Sequence, residues 1–184
     1  MPLHYVTGSA GAGTTAAARE LSSRRLLTYD TDDQDRTGMF GWFSRSTGFE
    51  VVGYNQLAIT KNILDDQIWR PSVFAVLKLT MESQIDLVYV CGNLEEPESI
   101  VNIARDSEGK LVFLSVSDDT VRSRLEARAS DPDAPLWGKQ DWQRDVSVAA
   151  NRATEERYLA MGAIILNGEQ PIEDVADDIV RVTR

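Results

Sequence analysis

A glycine-rich loop near the start of the chain places the tightest limit on what this sequence can fold into. Residues 3–15 read LHYVTGSAGAGTT, in which a short apolar run meets glycines at positions 8, 11 and 13. Alanines at positions 16–18 and Leu21 follow with the spacing of a helix. A strand, a glycine loop and a helix in this order direct backbone N–H groups and a helix N-terminus toward one point. The pattern predicts a binding site for phosphate oxygens.

The spacing of the loop matches a phosphate-binding loop of the Walker A type with one member replaced. The pattern is Gly8-x4-Gly13-x-Thr15, and Thr14 occupies the position that normally holds a lysine. Thr15 occupies the position whose hydroxyl binds Mg²⁺. A glycine-rich turn without a ligand is the plainer alternative, because such turns often follow strands. The apolar run before the loop and the helix after it favour the phosphate site.

Composition narrows the class of protein. With 184 residues, 42% of them apolar, the chain predicts a single domain over residues 1–184. The net charge of −10 argues against a nucleic-acid partner. No apolar run approaches the ~20 residues that span a bilayer, and the first residues lack signal-peptide features, so we expect a cytoplasmic protein without a membrane partner. One cysteine, Cys91, and one histidine, His4, exclude an internal disulfide and multi-histidine metal ligation, and we expect both side chains to pack in the interior.

Apolar runs alternate with helical patterns along the chain. Five strands are predicted near residues 3–7, 26–29, 86–92, 111–116 and 163–166. Helices are predicted near residues 14–23, 56–64, 72–83, 97–105, 117–129 and 140–161, and from Pro171 onward. This alternation is typical of a three-layer α/β/α domain with a central five-stranded parallel sheet. Ligands on such sheets bind beyond the carboxyl ends of the strands, where Gly13, Asp30, Asp32 and Gly92 are expected.

Residues 36–55 are rich in glycine and aromatic residues and have no clean periodicity. We interpret residues 34–71 as an excursion over the sheet edge, with a hairpin across Gly48 and with Pro71 in the first turn of the following helix. The excursion contains side chains that could bind an anionic acceptor or stack on a ring: Arg36, Arg45, Arg70 and Trp42. Trp42 and Trp69 could instead cover the core, and we favour that interpretation for Trp69.

Together these segments resemble the P-loop small-molecule kinases, the group that includes adenylate, shikimate and nucleoside monophosphate kinases. Residues 8–15 are similar to their P-loop. The sequence YDTD at 29–32, followed by RTG at 36–38 and GW at 41–42, is similar to the acidic motif and acceptor-binding segment of shikimate kinases. Arg124, Arg128 and the WGK sequence at 137–139 resemble the lid-helix arginines and lid of nucleotide kinases. Residues 162–167 and the helix after Pro171 resemble the C-terminal strand, adenine-side loop and last helix of the group. The chain as a whole resembles uncharacterised kinase-like ATP-binding proteins of this size.

The resemblance implies a fold of the P-loop NTPase type and Mg²⁺-dependent transfer of a phosphoryl group from ATP to a small-molecule hydroxyl or phosphate acceptor. The residues that would hold ATP are Gly8, Ser9, Ala10, Gly11, Ala12, Gly13, Thr14, Thr15 and, on the adenine side, Asn167. Thr15 and Asp30 would hold Mg²⁺, Asp30 through water. Asp32 would orient or deprotonate the acceptor hydroxyl, and the acceptor would contact Gly92, Arg36, Arg45, Trp42 and Arg70.

A lid is expected over residues 129–145. Arg124 and Arg128 lie four positions apart on one helix face, so both could reach the same phosphate. Lys139 could supply the charge that Thr14 lacks. The plainer alternatives are that the arginines pair with Glu126 or Asp131 at the surface, that Lys139 is only exposed, and that the acidic cluster after residue 29 starts a solvated helix.

Two departures from the kinase pattern keep other functions open. Thr14 replaces the lysine that bridges the β- and γ-phosphates, and Cys91 stands where a Walker-B aspartate would end its strand. One alternative is therefore a nucleotide-binding module that has lost turnover. Another is a dinucleotide-binding oxidoreductase that uses the glycines and Asp30, although no tyrosine is followed four places later by lysine. Shikimate itself is not expected as acceptor, because no glycine-rich loop follows Gly92.

Overall fold

The computed structural model describes residues 1–32, 39–51, 66–131 and 137–184. The strands are β1 (Leu3–Gly8), β2 (Leu27–Asp30), β3 (Phe40–Ser44), β4 (Gln67–Pro71), β5 (Val88–Cys91), β6 (Leu111–Ser115) and β7 (Ile164–Asn167). The helices are α1 (Thr14–Ser23), α2 (Val73–Ile85), α3 (Glu98–Asp106), α4 (Asp118–Ser130), α5 (Asp141–Ala160) and α6 (Ile172–Thr183). None of the helices in these ranges is long and apolar enough to cross a bilayer.

Five of the strands form one sheet in the order β2-β5-β1-β6-β7, and every neighbouring pair is parallel. Alternate residues of each strand enter two separate apolar clusters. On one face Tyr5, Val90 and Phe113 pack with residues of α2, α3 and α5. On the other face Val6 and Val112 pack with residues of α1, α4 and α6. The predicted three-layer domain with a five-stranded parallel sheet is confirmed.

The two residues expected to pack in the interior do so. Cys91 is fully buried in the second cluster, and burial raises the pKa of its thiol above the usual range. His4 is buried, its Nδ1 accepts a hydrogen bond from the Lys110 amide at 2.9 Å, and burial lowers its pKa to about 4. Both side chains are therefore neutral packing elements near pH 7.

Two serine side chains set where helices begin. The Ser117 side chain accepts a hydrogen bond from the Thr120 amide at 3.3 Å, which agrees with the predicted start of α4. The Ser72 side chain accepts from the Ala75 amide at 3.1 Å and caps α2. The prediction that Pro71 lies in the first turn of α2 was wrong. Pro71 is the last residue of β4, and the capping serine separates it from the helix.

The excursion contains a second, two-stranded sheet in which β3 and β4 pair antiparallel. The chain also turns back across Gly48, whose φ is 73°, and the Ser44 amide donates to the Phe49 carbonyl at 3.0 Å. The expected hairpin is confirmed. Trp69 packs partly buried against the first core cluster, as favoured from the sequence, with Trp42 5.4 Å away between ring centroids. Arg36 and the helix expected at residues 56–64 lie outside the described residues.

Candidate functional site

Residues 8–15 form a tight loop that leads from β1 into α1. Gly11 and Gly13 have φ angles of 87° and 99°, and Gly13 occupies the N-cap position of α1. A Cβ on Gly8 would lie 2.6 Å from the Cβ of Ala12, and the Ala12 amide donates to the Ser9 carbonyl at 2.9 Å. The loop conformation therefore requires glycine at these three positions.

Several backbone amides of the loop lack a protein acceptor. Within the described part of the chain, the N–H groups of Gly11, Gly13, Thr14 and Thr15 make no hydrogen bond. The threonine amides belong to the first turn of α1, where helix geometry leaves the donors without internal partners, and the helix dipole adds positive partial charge there. An anion with several oxygen atoms fits this set of donors, as phosphate does.

Arg124 on α4 lies against the carbonyl side of the loop. Its Nη1 donates to the carbonyl oxygens of Gly11 at 3.2 Å and Ala12 at 3.1 Å, and its Nη2 donates to the Gly168 carbonyl at 3.0 Å. The C=O and N–H of a trans peptide point in opposite directions, so the Gly13 amide points away from Arg124. Arg124 thus fixes the loop with that amide open, and it joins the loop to the segment after β7. This arrangement differs from the surface pairing with Glu126 or Asp131 that the sequence left open.

Thr15 and Asp30 meet at the end of the loop. The Thr15 hydroxyl lies 3.5 Å from Asp30 Oδ1, and the same oxygen accepts a hydrogen bond from the Asp32 amide at 3.0 Å. Asp30 ends β2 and is paired in register with Cys91 of β5. The carboxylate that contacts Thr15 therefore comes from the strand beside the one on which a Walker-B aspartate would lie.

The pair of Thr15 and Asp30 fits a hard cation such as Mg²⁺, which prefers oxygen ligands. Over residues 1–32, 39–51, 66–131 and 137–184, no group of three or more His, Cys, Asp and Glu side chains could hold a metal ion. Mg²⁺ commonly keeps several waters and binds through one or two carboxylates together with phosphate oxygens. The site accordingly suits an ion that arrives with a phosphate ligand.

Asp32 and Arg128 interact electrostatically near this pair. The pKa of Asp32 is raised to about 6, chiefly by desolvation and further by the negative charge of Asp30, and Arg128 partly offsets the rise. The residue keeps an exposed surface, so water moderates the size of the effect but not its direction. Burial lowers the pKa of Arg128, which Asp32 opposes, and Arg128 Nη1 donates to the Trp137 carbonyl at 3.2 Å.

Gly92 lies where β1, β2 and β5 end. Its φ is 138°, and a Cβ at this position would fall 1.8 Å from Thr31 Oγ1. Its amide donates to the Val6 carbonyl at 2.9 Å, and its carbonyl accepts from the Tyr5 hydroxyl at 3.0 Å. Close packing of the three strand ends is what requires glycine here.

The other predicted site residues make contacts of their own. Arg45 forms an ion pair with Glu95 at 2.8 Å. Arg70 lies over the Phe43 ring at 4.5 Å and donates to the Gly48 carbonyl at 3.3 Å. Arg70 thus packs within the region of β3 and β4, whereas Arg45 joins the end of β3 to the segment after β5.

Two predicted residues lie outside the excursion. Lys139 Nζ donates to the Asp131 carbonyl at 2.9 Å. Asn167 is exposed at the end of β7, and its side-chain oxygen accepts from the Glu169 amide at 3.0 Å.

A polar stripe on α5 was missed by the sequence analysis. It consists of Gln143, Ser147, Asn151 and Glu155, four residues apart, of which the first three are buried. Asn151 Nδ2 donates to the Val116 carbonyl at 2.9 Å, and the Asn151 carbonyl accepts from the Ser9 hydroxyl at 3.4 Å. The stripe therefore ties α5 to the glycine loop and to the end of β6. Its signal in the sequence is a polar residue at every fourth position, which marks one helix face.

The same stripe holds Trp137 and Gly138, which belong to the expected lid. Gln143 Oε1 accepts from the Gly138 amide at 2.9 Å, and Ser147 Oγ accepts from Trp137 Nε1 at 3.0 Å. A Cβ on Gly138 would lie 2.8 Å from a methyl carbon of Leu125 on α4. This part of the segment is packed between α4 and α5.

Comparison with known proteins places the fold. No protein-family model matches the chain, and no curated protein sequence matches it. Among solved structures, it is similar to a shikimate kinase from Acinetobacter baumannii in complex with shikimate, with 16% identity, a TM-score of 0.55, and coverage of 99% of this chain and 92% of that one. It is also similar to a shikimate kinase from Bacteroides thetaiotaomicron, with 18% identity, a TM-score of 0.56, and coverage of 98% and 97%. The likeness extends over nearly the whole length, and the chain has the fold of the P-loop small-molecule kinases.

Proposed function

We propose that this protein binds ATP with Mg²⁺ at residues 8–15 and transfers a phosphoryl group to a small-molecule hydroxyl or phosphate acceptor. The main support is the position of the Thr15 hydroxyl, 3.5 Å from Asp30 Oδ1. It lies at the end of a loop in which the amides of Gly11, Gly13, Thr14 and Thr15 find no acceptor among the described residues. A nucleotide triphosphate with a bound cation would use both features at once. The fold shared with shikimate kinases supports this function.

The site residues would have two kinds of role: some position the phosphate groups and the cation, and others transfer a proton. Phosphoryl transfer needs alignment and charge neutralisation more than covalent help. The amides of Gly11, Gly13, Thr14 and Thr15 would hold the phosphate chain, and Thr15 with Asp30 would hold Mg²⁺. When bound, Mg²⁺ neutralises charge on the phosphate oxygens.

Asp32 is the candidate base for the acceptor hydroxyl. A pKa near 6 leaves most of the carboxyl ionised at neutral pH and keeps it basic enough to accept a proton. Arg128 would stabilise charge on the transferred group, since its guanidinium interacts electrostatically with Asp32. We place the acceptor near Asp32 and Gly92, with Arg45, Arg70 and Trp42 of the excursion as candidate contacts.

Nucleotide binding without turnover is the second candidate function. Thr14, at the position of the usual lysine, is a short neutral side chain with only 9% of its surface exposed. Loss of that cation removes electrostatic stabilisation of the transition state, commonly the largest single contribution to catalysis. A protein of this kind would keep the phosphate site and release no ADP.

Two measurements on the full chain separate these functions. Calorimetric titration with MgATP reports binding, and incubation with γ-labelled ATP and a panel of hydroxyl and phosphate acceptors reports transfer. Binding with transfer to an acceptor supports the kinase, and binding without transfer across the panel supports the module. Titration with NAD(H) in place of ATP tests the oxidoreductase alternative, and a chain that binds neither ATP nor NAD(H) contradicts all three functions.

A further inference from the structure

One face of α2 carries an apolar stripe that no described residue covers. Val73, Leu77, Met81 and Ile85 recur at every fourth position and are 78%, 61%, 68% and 78% exposed, and Phe74 beside them is 59% exposed. Residues four apart lie on the same side of a helix. The opposite side of α2 packs into the domain core. A helix that is apolar on both sides is typical of one that is covered on both sides.

We propose that this stripe is the contact surface of a homodimer, in which α2 packs antiparallel against α2 of a second copy. The even spacing makes the stripe self-complementary, as a two-fold contact requires. An antiparallel arrangement places Val73 opposite Ile85 of the second copy, and Leu77 opposite its Met81. The β-branched residues then meet at the two ends and the flexible ones at the centre, where methionine adapts to irregular gaps.

Charge favours this surface for a second copy. The chain carries a net charge of −10, so most of its surface repels another copy of itself. The exposed residues of α2 are the five apolar side chains together with Thr80 and Gln84, and none is charged. Lys78 and Glu82 lie on the flank of the helix and pair with each other, so contact across the stripe removes no unpaired charge from water.

The size of the stripe is at the lower limit for a stable dimer. Five large apolar side chains at these exposures present roughly 600 Å² per copy, at on the order of 120 Å² each. Two copies would bury about 1,200 Å², at the lower end of specific interfaces. A patch of this size is at the upper end of what monomeric proteins expose, and such patches are often interaction sites. We therefore expect a dimer with a dissociation constant in the micromolar range.

Analytical ultracentrifugation of the full chain tests the proposal. The protein should be monomeric below about 1 μM and dimeric at about 100 μM, whereas the Met81→Glu variant should stay monomeric throughout, because burying the new carboxylate is costly. Leu159→Glu is the matched control, since Leu159 is a 55% exposed apolar residue on α5, and it should associate like the unaltered chain. Circular dichroism checks that each variant is folded.

A charge pair across the interface tests the register. In an antiparallel dimer, a mixture of the Leu77→Lys and Met81→Glu variants should form a heterodimer, because the new lysine faces the new glutamate while the second contact stays apolar. Association of the mixture but not of either variant alone supports the proposal. A monomer at every concentration, or a dimer that neither substitution weakens, overturns it. The experiment measures no ATP-dependent property, so its outcome is independent of the proposed function.

Discussion

The hydroxyl of Thr15 and Oδ1 of Asp30 lie 3.5 Å apart, across the space between the start of α1 and the end of β2. The same Asp30 oxygen accepts the Asp32 amide at 3.0 Å, which fixes the carboxylate toward Thr15. The neighbouring strand ends in the buried Cys91, which cannot serve as a hard oxygen ligand. The proposed metal site is therefore built between the start of α1 and the end of β2.

Thr15→Val should weaken the binding of MgATP while leaving that of metal-free ATP unchanged. Valine keeps the shape of threonine and removes only the hydroxyl, and a contact to a charged group contributes about 1.5–3 kcal/mol, or at least about tenfold in affinity. Calorimetry with and without a chelator measures both constants. Thr154→Val is the control, because the Thr154 hydroxyl donates only to the Ala150 carbonyl within α5 at 2.8 Å. An equal loss with and without Mg²⁺ would show that Thr15 does not act through a metal.

Arg124→Ala should destabilise the protein and weaken ATP binding together. The substitution leaves the carbonyls of Gly11, Ala12 and Gly168 without their donor, and we expect a loss of about 2 kcal/mol in the free energy of unfolding. Urea denaturation and ATP titration measure the two effects.

Arg122→Ala is the matched control on the same helix. Arg122 forms an exposed ion pair with Asp145 at 3.3 Å, and such surface pairs contribute little, so we expect a change below about 0.5 kcal/mol. Equal losses for the two variants would contradict a special role of Arg124 in holding the loop.

Asp32→Asn should stabilise the protein at alkaline pH and have less effect in acid. The pKa of about 6 in the folded protein exceeds the ordinary 3.8, so folding favours the neutral form and the ionised carboxylate costs stability. The cost is absent when both states are protonated, grows as pH rises from about 4 to about 6, and is constant above. Because solvent reaches the residue, we expect about 1 kcal/mol. Urea denaturation near pH 8 and near pH 5 measures the stabilisation by the substitution. A variant that is stabilised more at pH 5 than at pH 8 would show that the pKa of Asp32 is not raised.

The local patterns of the sequence were sufficient to predict the loop, the sheet and most helix limits. Glycine spacing and apolar runs are encoded over a few residues, so they can be recognised in the sequence without knowledge of the fold. Pro71 was placed wrongly in the first turn of α2, because proline suits both a first helical turn and the end of an edge strand.

What the sequence left open depends on contacts between distant segments. Arg124 and Gly11 are separated by 113 positions, and nothing near Arg124 distinguishes a carbonyl target from a surface carboxylate. The buried polar face of α5 likewise could not be predicted without knowing what packs on it. In the sequence Asn151 is an ordinary polar residue, and only the fold places the Val116 carbonyl within hydrogen-bond distance of its side chain. Tertiary placement, not residue type, decides such roles.

Nuclear magnetic resonance of the loop amides tests most directly whether residues 8–15 bind the phosphates of ATP. The full chain, labelled with ¹⁵N, is titrated with MgATP while the amide signals of Gly11, Gly13, Thr14 and Thr15 are recorded. If these donors hold the phosphates, their signals should move far more than that of Gly162, an exposed glycine that also has a positive φ, 90°. If all four signals stay in place at saturating MgATP, these amides do not bind the phosphates.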